Sequence, residues 1–304
     1  MRVFVTGATG FVGTAIVLEL INAGHEVVGL ARSDASAASL TAVGAKAHRG
    51  DLQDLEALRL GAADADGVIH AGFIHDFSNF KANCEIDARA IAALAEPIAG
   101  SDRPLIVTSG TGLLMRDHAV TEDDVFSANS PMPRLSEVAA QSAAAHGVRA
   151  IIMRLPPSVH GEGDYAFVPT LIDLAKKRGV SAYIGDGQNQ WPAIHRFDAA
   201  KLYRLALETP STTSTYHAVA EEGVTLHAIA EAIGKGLNLP VVSKAPEEAA
   251  EHFSWFAHFA AMDNRSSSAK TRELLGWQPS EPGLLSDLDG PSYFLPSRHG
   301  LPIA

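Results

Sequence analysis

Residues 2–13 read RVFVTGATGFVG. The apolar, β-branched residues at the start of this stretch predict a strand, and the apolar residues at its end predict the first turn of a helix. Three glycines, Gly7, Gly10 and Gly13, occupy the turn between them. Glycine allows a tight turn and a close backbone approach to a phosphate, while a helix N-terminus offers unpaired N–H groups to an anion. The stretch therefore predicts a dinucleotide-binding α/β fold.

Short apolar runs alternate with longer Ala-rich segments through the first half of the chain. This alternation predicts an α/β fold with a doubly wound parallel sheet of the Rossmann type, spanning residues 1–155. The predicted strands are Arg2–Thr6, Glu26–Ala31, Lys46–Arg49, Gly67–His70, Leu105–Thr108 and Ala150–Arg154. The predicted helices are Phe11–Ala23, Ala35–Val43, Leu52–Leu60, Asn79–Ala99 and Arg134–His146.

The second half is richer in proline and glycine loops, and residues 156–304 are predicted to form mainly a smaller, mostly helical substrate-binding lobe. Segments between about residues 193 and 220 are expected to return to the sheet. Further elements predicted here are a strand at Tyr216–Val219 and helices at Val168–Arg178, Leu226–Gly234 and about Glu247–Ala261.

Composition excludes several functional classes. The chain has 304 residues, with 24 Lys and Arg against 35 Asp and Glu, a formal net charge of −11. Such an acidic chain is a poor electrostatic match for nucleic acid or an anionic membrane surface. The one cysteine, Cys84, excludes an internal disulfide, and no histidine spacing predicts a metal site. We therefore expect a cytoplasmic protein with a small-molecule substrate and no metal.

Several motifs resemble those of the extended short-chain dehydrogenase/reductase family, of the NAD-dependent epimerase/dehydratase type. The glycine turn is similar to the family's T-G-x-x-G-x-x-G, and five later segments follow in the family's order. These segments are Gly50–Leu52, Val68–Gly72, Arg154–Gly161, His195–Ala199 and Lys270–Pro279. The resemblance spans nearly the whole chain and implies a nicotinamide cofactor along the carboxyl ends of the strands.

The residues at these strand ends are the candidate cofactor-binding residues. At the end of the second strand, Arg32 stands beside Ser33, and a guanidinium there can pair with the 2′-phosphate of NADP. This favours NADP(H) over NAD(H), although Arg32 could also be a solvated surface side chain. The candidates are Gly7, Thr9, Gly10, Phe11, Val12, Gly13, Arg32, Ser33, Asp51, Leu52, Ala71, Gly72, Phe73, Thr108, Leu155, Pro156, Ser158 and Val159.

The family's catalytic Tyr-x-x-x-Lys pair is missing. Arg134 stands at the place that matches the tyrosine and Val138 at the place that matches the lysine, and none of the five tyrosines has a lysine four residues later. The chain therefore resembles the atypical branch of the family. Candidate catalytic residues are Ser109 or Thr111 after the fifth strand, and His160 and Tyr165 in a later loop, each with a purely structural role as the alternative.

Four further residues are candidates for contact with substrate: His75, Arg134, Trp191 and His195. Arg134 could instead form a surface ion pair with Glu137, three residues later on the same predicted helix. Together these features predict an NADP(H)-dependent oxidoreductase that moves hydride to or from a carbonyl or alcohol carbon. The alternatives are an NADP(H)-binding redox sensor without turnover and a sugar-nucleotide epimerase or dehydratase. The resemblance also implies a possible homodimer through the two long helices of the first half.

Overall fold

The computed structural model describes residues 1–114, 116–126, 132–210 and 215–294. In chain order the strands are β1 (Arg2–Thr6), β2 (Glu26–Ala31), β3 (Lys46–Arg49), β4 (Gly67–His70), β5 (Pro104–Gly110), β6 (Arg149–Leu155), β7 (Ser158–His160), β8 (Ser181–Ile184), β9 (Gln190–His195), β10 (Thr215–His217), β11 (Glu221–Thr225) and β12 (Val241–Lys244).

Each of the first five strands is followed in the chain by an α-helix. These are α1 (Phe11–Asn22), α2 (Asp34–Ala42), α3 (Leu55–Ala63), α4 (Phe80–Ala95) and α5 (Ser136–Ala145). The later helices are α6 (Phe167–Arg178), α7 (Arg196–Glu208), α8 (Leu226–Leu237), α9 (Ala249–Phe253), α10 (Ala257–Ala260), α11 (Ala269–Leu275) and α12 (Leu284–Asp289).

Seven strands form a parallel sheet in the order β10-β6-β5-β4-β1-β2-β3. Alternate residues of β1 point to opposite faces, so Val3 and Val5 pack with α1, α2 and α7 while Phe4 packs with α3, α4 and α5. Helices therefore cover both faces, which explains why the strands are apolar throughout. The predicted doubly wound Rossmann-type fold is confirmed.

The second half combines helices with two small sheets, β11-β9-β7 and β12-β8. Its own core lies around Trp191, Phe253 and Phe256. The predicted helix from about Glu247 to Ala261 is broken into α9 and α10, because Ser254 has a positive φ of 53°, which does not occur within a right-handed helix. Of the segments expected to return to the main sheet, Thr215–His217 does so as β10, whereas Gln190–His195 belongs to the β11-β9-β7 sheet.

Candidate functional site

The strand order of the main sheet reverses direction between β1 and β4. From β1 the chain first extends the sheet through β2 and β3, and β4 then starts the other half on the opposite side of β1. In open α/β sheets, ligands bind in the crevice outside the carboxyl ends of the strands at such a reversal. The segments that line this crevice are the glycine turn after β1 and residues 71–73 after β4.

The glycine turn packs directly against the loop after β4. A Cβ atom on Gly7, whose φ is 67°, would lie 2.7 Å from the carbonyl carbon of Ala71, and a Cβ on Gly13 would lie 1.9 Å from the Gly7 carbonyl oxygen. Helix α1 then begins without any side-chain cap at Gly10 and without an acidic residue in its first turn. These first-turn N–H groups are the partners that a pyrophosphate needs, so the turn fits a dinucleotide.

One arginine directly after β2 is available to bind a ligand. Arg32 is exposed and forms no ion pair with the described residues, while the neighbouring Asp34 is paired with Arg49. The hydroxyl oxygen of Ser33 caps α2 by accepting a hydrogen bond from the N–H of Ser36 at 3.1 Å. The turn after β3 is organised by Asp51, whose carboxylate accepts the N–H groups of residues 53 and 54.

A buried chain of hydrogen bonds links the glycine turn to α5. The Thr6 hydroxyl lies 2.8 Å from His70 Nδ1, and His70 Nε2 lies 3.1 Å from Asp87 Oδ1. Ser136 Oγ donates to Asp87 Oδ2 at 2.6 Å and accepts from Nε of Arg134 at 2.6 Å. Because a carboxylate only accepts, His70 must carry its proton on Nε2, which leaves Nδ1 to accept from Thr6.

Asp87 carries the negative charge in this series of hydrogen bonds. Burial alone would raise the pKa of its carboxyl, but the hydrogen bonds from His70 and Ser136, together with the charge of Arg134, hold the pKa below its ordinary value. Asp87 is therefore an ionised carboxylate inside the protein. The sequence does carry a signal for it, because Asp87 interrupts the apolar stripe of α4 that includes Cys84, Ala90 and Ile91.

Arg134 lies at the entry to α5 with its guanidinium carbon 3.5 Å from the ring centroid of Phe73. Only 15% of its side chain is exposed, and burial lowers the pKa of the guanidinium. Its two terminal nitrogens have no hydrogen-bond acceptor among the described residues. His75 lies at the same place, with its ring 5.2 Å from that of Phe73 in an edge-on arrangement.

The alternative ion pair between Arg134 and Glu137 does not form. Glu137 is 1% exposed and instead binds Arg154 through two hydrogen bonds, Nε to Oε1 at 2.9 Å and Nη2 to Oε2 at 2.8 Å. This alternative is wrong because Glu137 lies on the inner side of α5, which faces β5 and β6. Ser109 donates to the same carboxylate at 2.7 Å.

The hydroxyl groups at the end of β5 and directly after it are hydrogen-bonded. Thr111 is fully buried and donates to the side-chain oxygen of Asn264 at 2.8 Å, and Thr108 lies 2.7 Å from the Tyr203 hydroxyl. Together with the bond from Ser109 to Glu137, these contacts connect β5 to other elements of the fold.

His160 lies against α12. Its Nδ1 atom is 2.7 Å from Asp287, its ring packs edge-on to His195, and burial lowers its pKa. The Nδ1 atom of His195 accepts the N–H of Phe197 at the start of α7. Trp191 is fully buried in the core of the second half.

Tyr165 is the candidate catalytic residue that remains exposed. More than half of its surface, 57%, is accessible, and its ring lies 6.1 Å from that of Phe11, the first residue of α1. Its hydroxyl forms no hydrogen bond with the described residues. The guanidinium of Arg196 also lies over Phe11, at 5.0 Å from the ring centroid, so both side chains border the glycine turn. The sequence did not single out Arg196.

The other cofactor candidates lie at the ends of strands. Leu52 approaches Gly72, since a Cβ built on that glycine would lie 3.3 Å from Leu52 Cδ2. Leu155 ends β6, Pro156 is buried directly after it, and Val159 pairs with Ile194 between β7 and β9. The buried hydroxyl of Ser158 has no hydrogen-bond partner among the described residues. Thr9 directly precedes Gly10, and Val12 is the second residue of α1.

Two kinds of site are not found in the described part of the chain. No three His, Cys, Asp or Glu side chains there converge as metal ligands would. No helix within the same ranges is long and apolar enough to cross a membrane.

Comparison with known proteins places these features in a family. The model of the "NAD dependent epimerase/dehydratase family" matches residues 3–220. The chain is 51% identical to "Uncharacterized protein C2A9.02" of Schizosaccharomyces pombe over 97% of this chain and all of that one. It is 27% identical to "2-alkyl-3-oxoalkanoate reductase" of Stenotrophomonas maltophilia over 68% of this chain and 66% of the reductase.

A solved structure has the same fold over almost the whole chain. A double mutant of DesIV, a dTDP-glucose 4,6-dehydratase from Streptomyces venezuelae with NAD and DAU bound, superposes with a TM-score of 0.76 at 18% identity and covers 97% of both chains. The family match spans both the glycine turn and the reversal of strand order beside it. The chain therefore belongs to the NAD dependent epimerase/dehydratase family.

Proposed function

We propose that the protein is an NADP(H)-dependent oxidoreductase that acts on a carbonyl or alcohol carbon of a small molecule. The observation that carries this proposal is the uncapped start of α1 beside the contact between Gly7 and Ala71, at the reversal of strand order. When bound there, the nicotinamide supplies or accepts the hydride. The relative named as a reductase of an oxoalkanoate supports a carbonyl substrate.

The preference for NADP(H) is supported by the charges after β2. An acidic residue that binds the ribose 2′-hydroxyl is typical of NAD sites, whereas a guanidinium suits a 2′-phosphate. Asp34 is already paired with Arg49, while Arg32 has no carboxylate partner in the described ranges. Arg32 is thus the charged side chain that remains available at this strand end.

Tyr165 is the proposed proton donor and acceptor for the substrate oxygen. Ser109 and Thr111 donate their hydroxyl hydrogens to buried acceptors, and His160 is tied to Asp287. The Tyr165 hydroxyl forms no such bond with the residues that the structure describes, and its ring lies next to the first residue of α1. A phenol in this place could exchange a proton with the reacting oxygen and with solvent.

The test is turnover of NADPH with a panel of aldehydes, ketones and nucleotide sugars, followed by loss of nicotinamide absorbance. Replacing Tyr165 with Phe should lower kcat by about 100-fold, the usual contribution of a general acid, without weakening NADPH binding. Tyr183→Phe is the matched control, because Tyr183 packs on His227 in the second half. Equal activity of both variants would exclude Tyr165 as the proton donor.

A redox sensor without turnover is the second candidate, favoured by one observation. Three of the four predicted catalytic side chains, Ser109, Thr111 and His160, are buried and hydrogen-bonded to other residues. Tight binding of NADPH with no oxidation by any member of the panel would support the sensor and contradict the oxidoreductase.

A further inference from the structure

The guanidinium of Arg134 is placed beside the cofactor crevice. It stacks on Phe73 at 3.5 Å, and Phe73 directly follows Gly72, whose backbone packs against the glycine turn. The side chain is 15% exposed, so it is largely withdrawn from water yet still accessible. A cation in this condition gains from a bound anion more than a fully solvated arginine would.

The contacts of Arg134 involve Nε and leave its two terminal nitrogens available for a ligand. Its contact with Asp87 is indirect: Nε lies 3.8 Å from the carboxylate and donates instead to Ser136 Oγ, which donates onward to Asp87. The terminal nitrogens Nη1 and Nη2 find no acceptor within the described ranges. Asp87 itself is fixed from the other side by His70. The guanidinium is therefore oriented by one nitrogen and free to bind with the others.

The local charge favours one class of anion. The guanidinium is offset in part by the nearby carboxylate of Asp87, so the pair can accept one further negative charge more readily than several. A planar carboxylate matches two guanidinium N–H groups in a bidentate arrangement, whereas a diphosphate carries at least two charges and needs further cations. The geometry therefore fits a monocarboxylate better than a nucleotide sugar.

We propose that the substrate is an oxo acid, or the hydroxy acid formed from it, whose carboxylate is bound by Arg134, with Asp87 and Ser136 as positioning residues. This inference rests on the oxidoreductase function proposed above. It assigns to Arg134, at the place that matches the family's tyrosine, the recognition of the substrate rather than proton transfer.

The reaction is balanced without further reagents. In the reducing direction, the carbonyl carbon gains a hydride, with two electrons, from reduced nicotinamide, and the carbonyl π bond becomes a lone pair on oxygen. That oxygen takes one proton from the Tyr165 hydroxyl, which solvent reprotonates. The carboxylate is unchanged, and the products are a hydroxy acid and the oxidised cofactor.

The first experiment compares oxo acids with their neutral counterparts. Straight-chain 2-oxo and 3-oxo carboxylates and their methyl esters are assayed with NADPH, using wild type, Arg134→Met and Arg134→Lys. We expect wild type to prefer an acid over its ester by at least about 100-fold in kcat/KM, and Arg134→Met to abolish this preference with little change for esters. Arg134→Lys should keep part of it, because it retains the charge but loses the planar fork.

Two controls separate substrate recognition from damage to the fold. Arg89→Met makes the same replacement on the exposed side of α4 and should leave the acid-to-ester ratio unchanged. The NADPH dissociation constant, measured by fluorescence, should be the same in all the variants. A wild-type enzyme that reduces esters and acids equally, or an acid preference that survives Arg134→Met, would overturn the inference while the oxidoreductase function stands.

The second experiment tests the positioning role. Ser136→Ala removes the hydroxyl between Arg134 and Asp87, and we expect a roughly 10-fold rise in KM for the acids with no change for the esters. Ser136→Thr keeps the hydroxyl and should restore the wild-type ratio. A KM increase shared by acids and esters would contradict the role. If NADPH binds and no member of either series reacts, the proposed function fails, and the inference with it.

Discussion

At the scale of single residues, the protein binds two buried carboxylates by different means. Glu137 is neutralised directly by the fork of Arg154, whereas Asp87 is satisfied by hydrogen bonds from His70 and Ser136. In the direct ion pair the guanidinium N–H groups of Arg154 are bound to the carboxylate. In the pair bridged by Ser136, only Nε of Arg134 is bound. This difference explains why Arg154 is structural and Arg134 is available for a ligand.

Replacing Arg32 with Ala should weaken NADPH binding about 10-fold or more and leave NADH binding nearly unchanged, because NADH has no 2′-phosphate. Dissociation constants for both cofactors check this. Arg49→Ala is the control, since Arg49 is paired with Asp34. An unchanged ratio of NADPH to NADH affinity in Arg32→Ala would contradict the assignment of NADP(H).

Gly13→Ala should destabilise the protein by about 3 kcal/mol, even though alanine is normally the better helix former. The added Cβ would lie 1.9 Å from the carbonyl oxygen of Gly7, and neither backbone can move without opening the turn. Denaturant unfolding measures the effect. Gly110→Ala is the control, because its Cβ would meet only the Leu155 carbonyl oxygen at 3.6 Å. Similar stability of the two variants would refute the steric argument.

The sequence predicted individual residues well where backbone geometry decides and poorly where side chains meet across elements. The three glycines follow from a strand-turn-helix pattern that is local in the chain. The partners of Glu137 lie 17 and 28 residues away, and those of Asp87 lie 17 and 49 residues away. Local spacing does not report such contacts, which is why it suggested an ion pair between Arg134 and Glu137 that does not form.

At the scale of elements, α5 is anchored to β5 and β6 by the carboxylate of Glu137. We expect Glu137→Gln to lower the free energy of unfolding by about 3–5 kcal/mol, because Arg154 would remain buried without a counter-charge. Lys235→Ala, which breaks the exposed pair with Asp289, should cost less than about 1 kcal/mol. Urea unfolding of both variants measures these free energies. A loss of stability in Glu137→Gln as small as that in Lys235→Ala would show that other contacts anchor α5.

The loop before α6 has a pH-dependent stability. Burial raises the pKa of Asp164 from its ordinary 3.8 to about 6, although it accepts hydrogen bonds from Ala166 and Tyr293. Between these two values the folded protein holds more protons than the unfolded chain, so this carboxyl lowers stability as pH rises towards 6 and by a constant amount above it.

Asp164→Asn should therefore be more stable than wild type above pH 6, with a difference that shrinks to nothing near pH 4. Melting temperatures from pH 4 to 8 measure this. Asp173→Asn, at an exposed site on α6, should show no such trend. If Asp164→Asn were less stable than wild type at pH 7.5, the carboxylate would have to be favourable as a charged group.

The sequence-based predictions of where elements begin, and of which elements form, were wrong for α3 and α7. The helix expected at Leu52–Leu60 begins at Leu55, because the Asp54 side chain caps it through the N–H of Ala57. Helix α7 was missed altogether, since a return to the sheet was expected over that part of the chain. Strands that are apolar throughout were easier, and β1, β2, β3 and β4 have the predicted limits.

At the scale of the whole molecule, the sheet is not complete within residues 1–155. Strand β10 pairs with β6, and the guanidinium of Arg154 lies 3.2 Å from His217 Nε2 at the end of β10. We expect a fragment of residues 1–155 to remain unfolded or aggregate, because β6 becomes an open edge and Arg154 loses that contact. Circular dichroism and size-exclusion chromatography check this. A monomeric, cooperatively unfolding fragment would show that the first half folds independently.

The pairing of β6 with β10 also bears on how the protein is made. Ribosomes release the chain from its N-terminus, so the glycine turn and its five following strands emerge while the last strand of the sheet is still unmade. Until residue 217 has left the ribosome, the apolar edge at β6 stays open to other nascent chains. We infer that this interval is when the protein depends most on chaperones, and that slow translation between β6 and β10 would lower its yield.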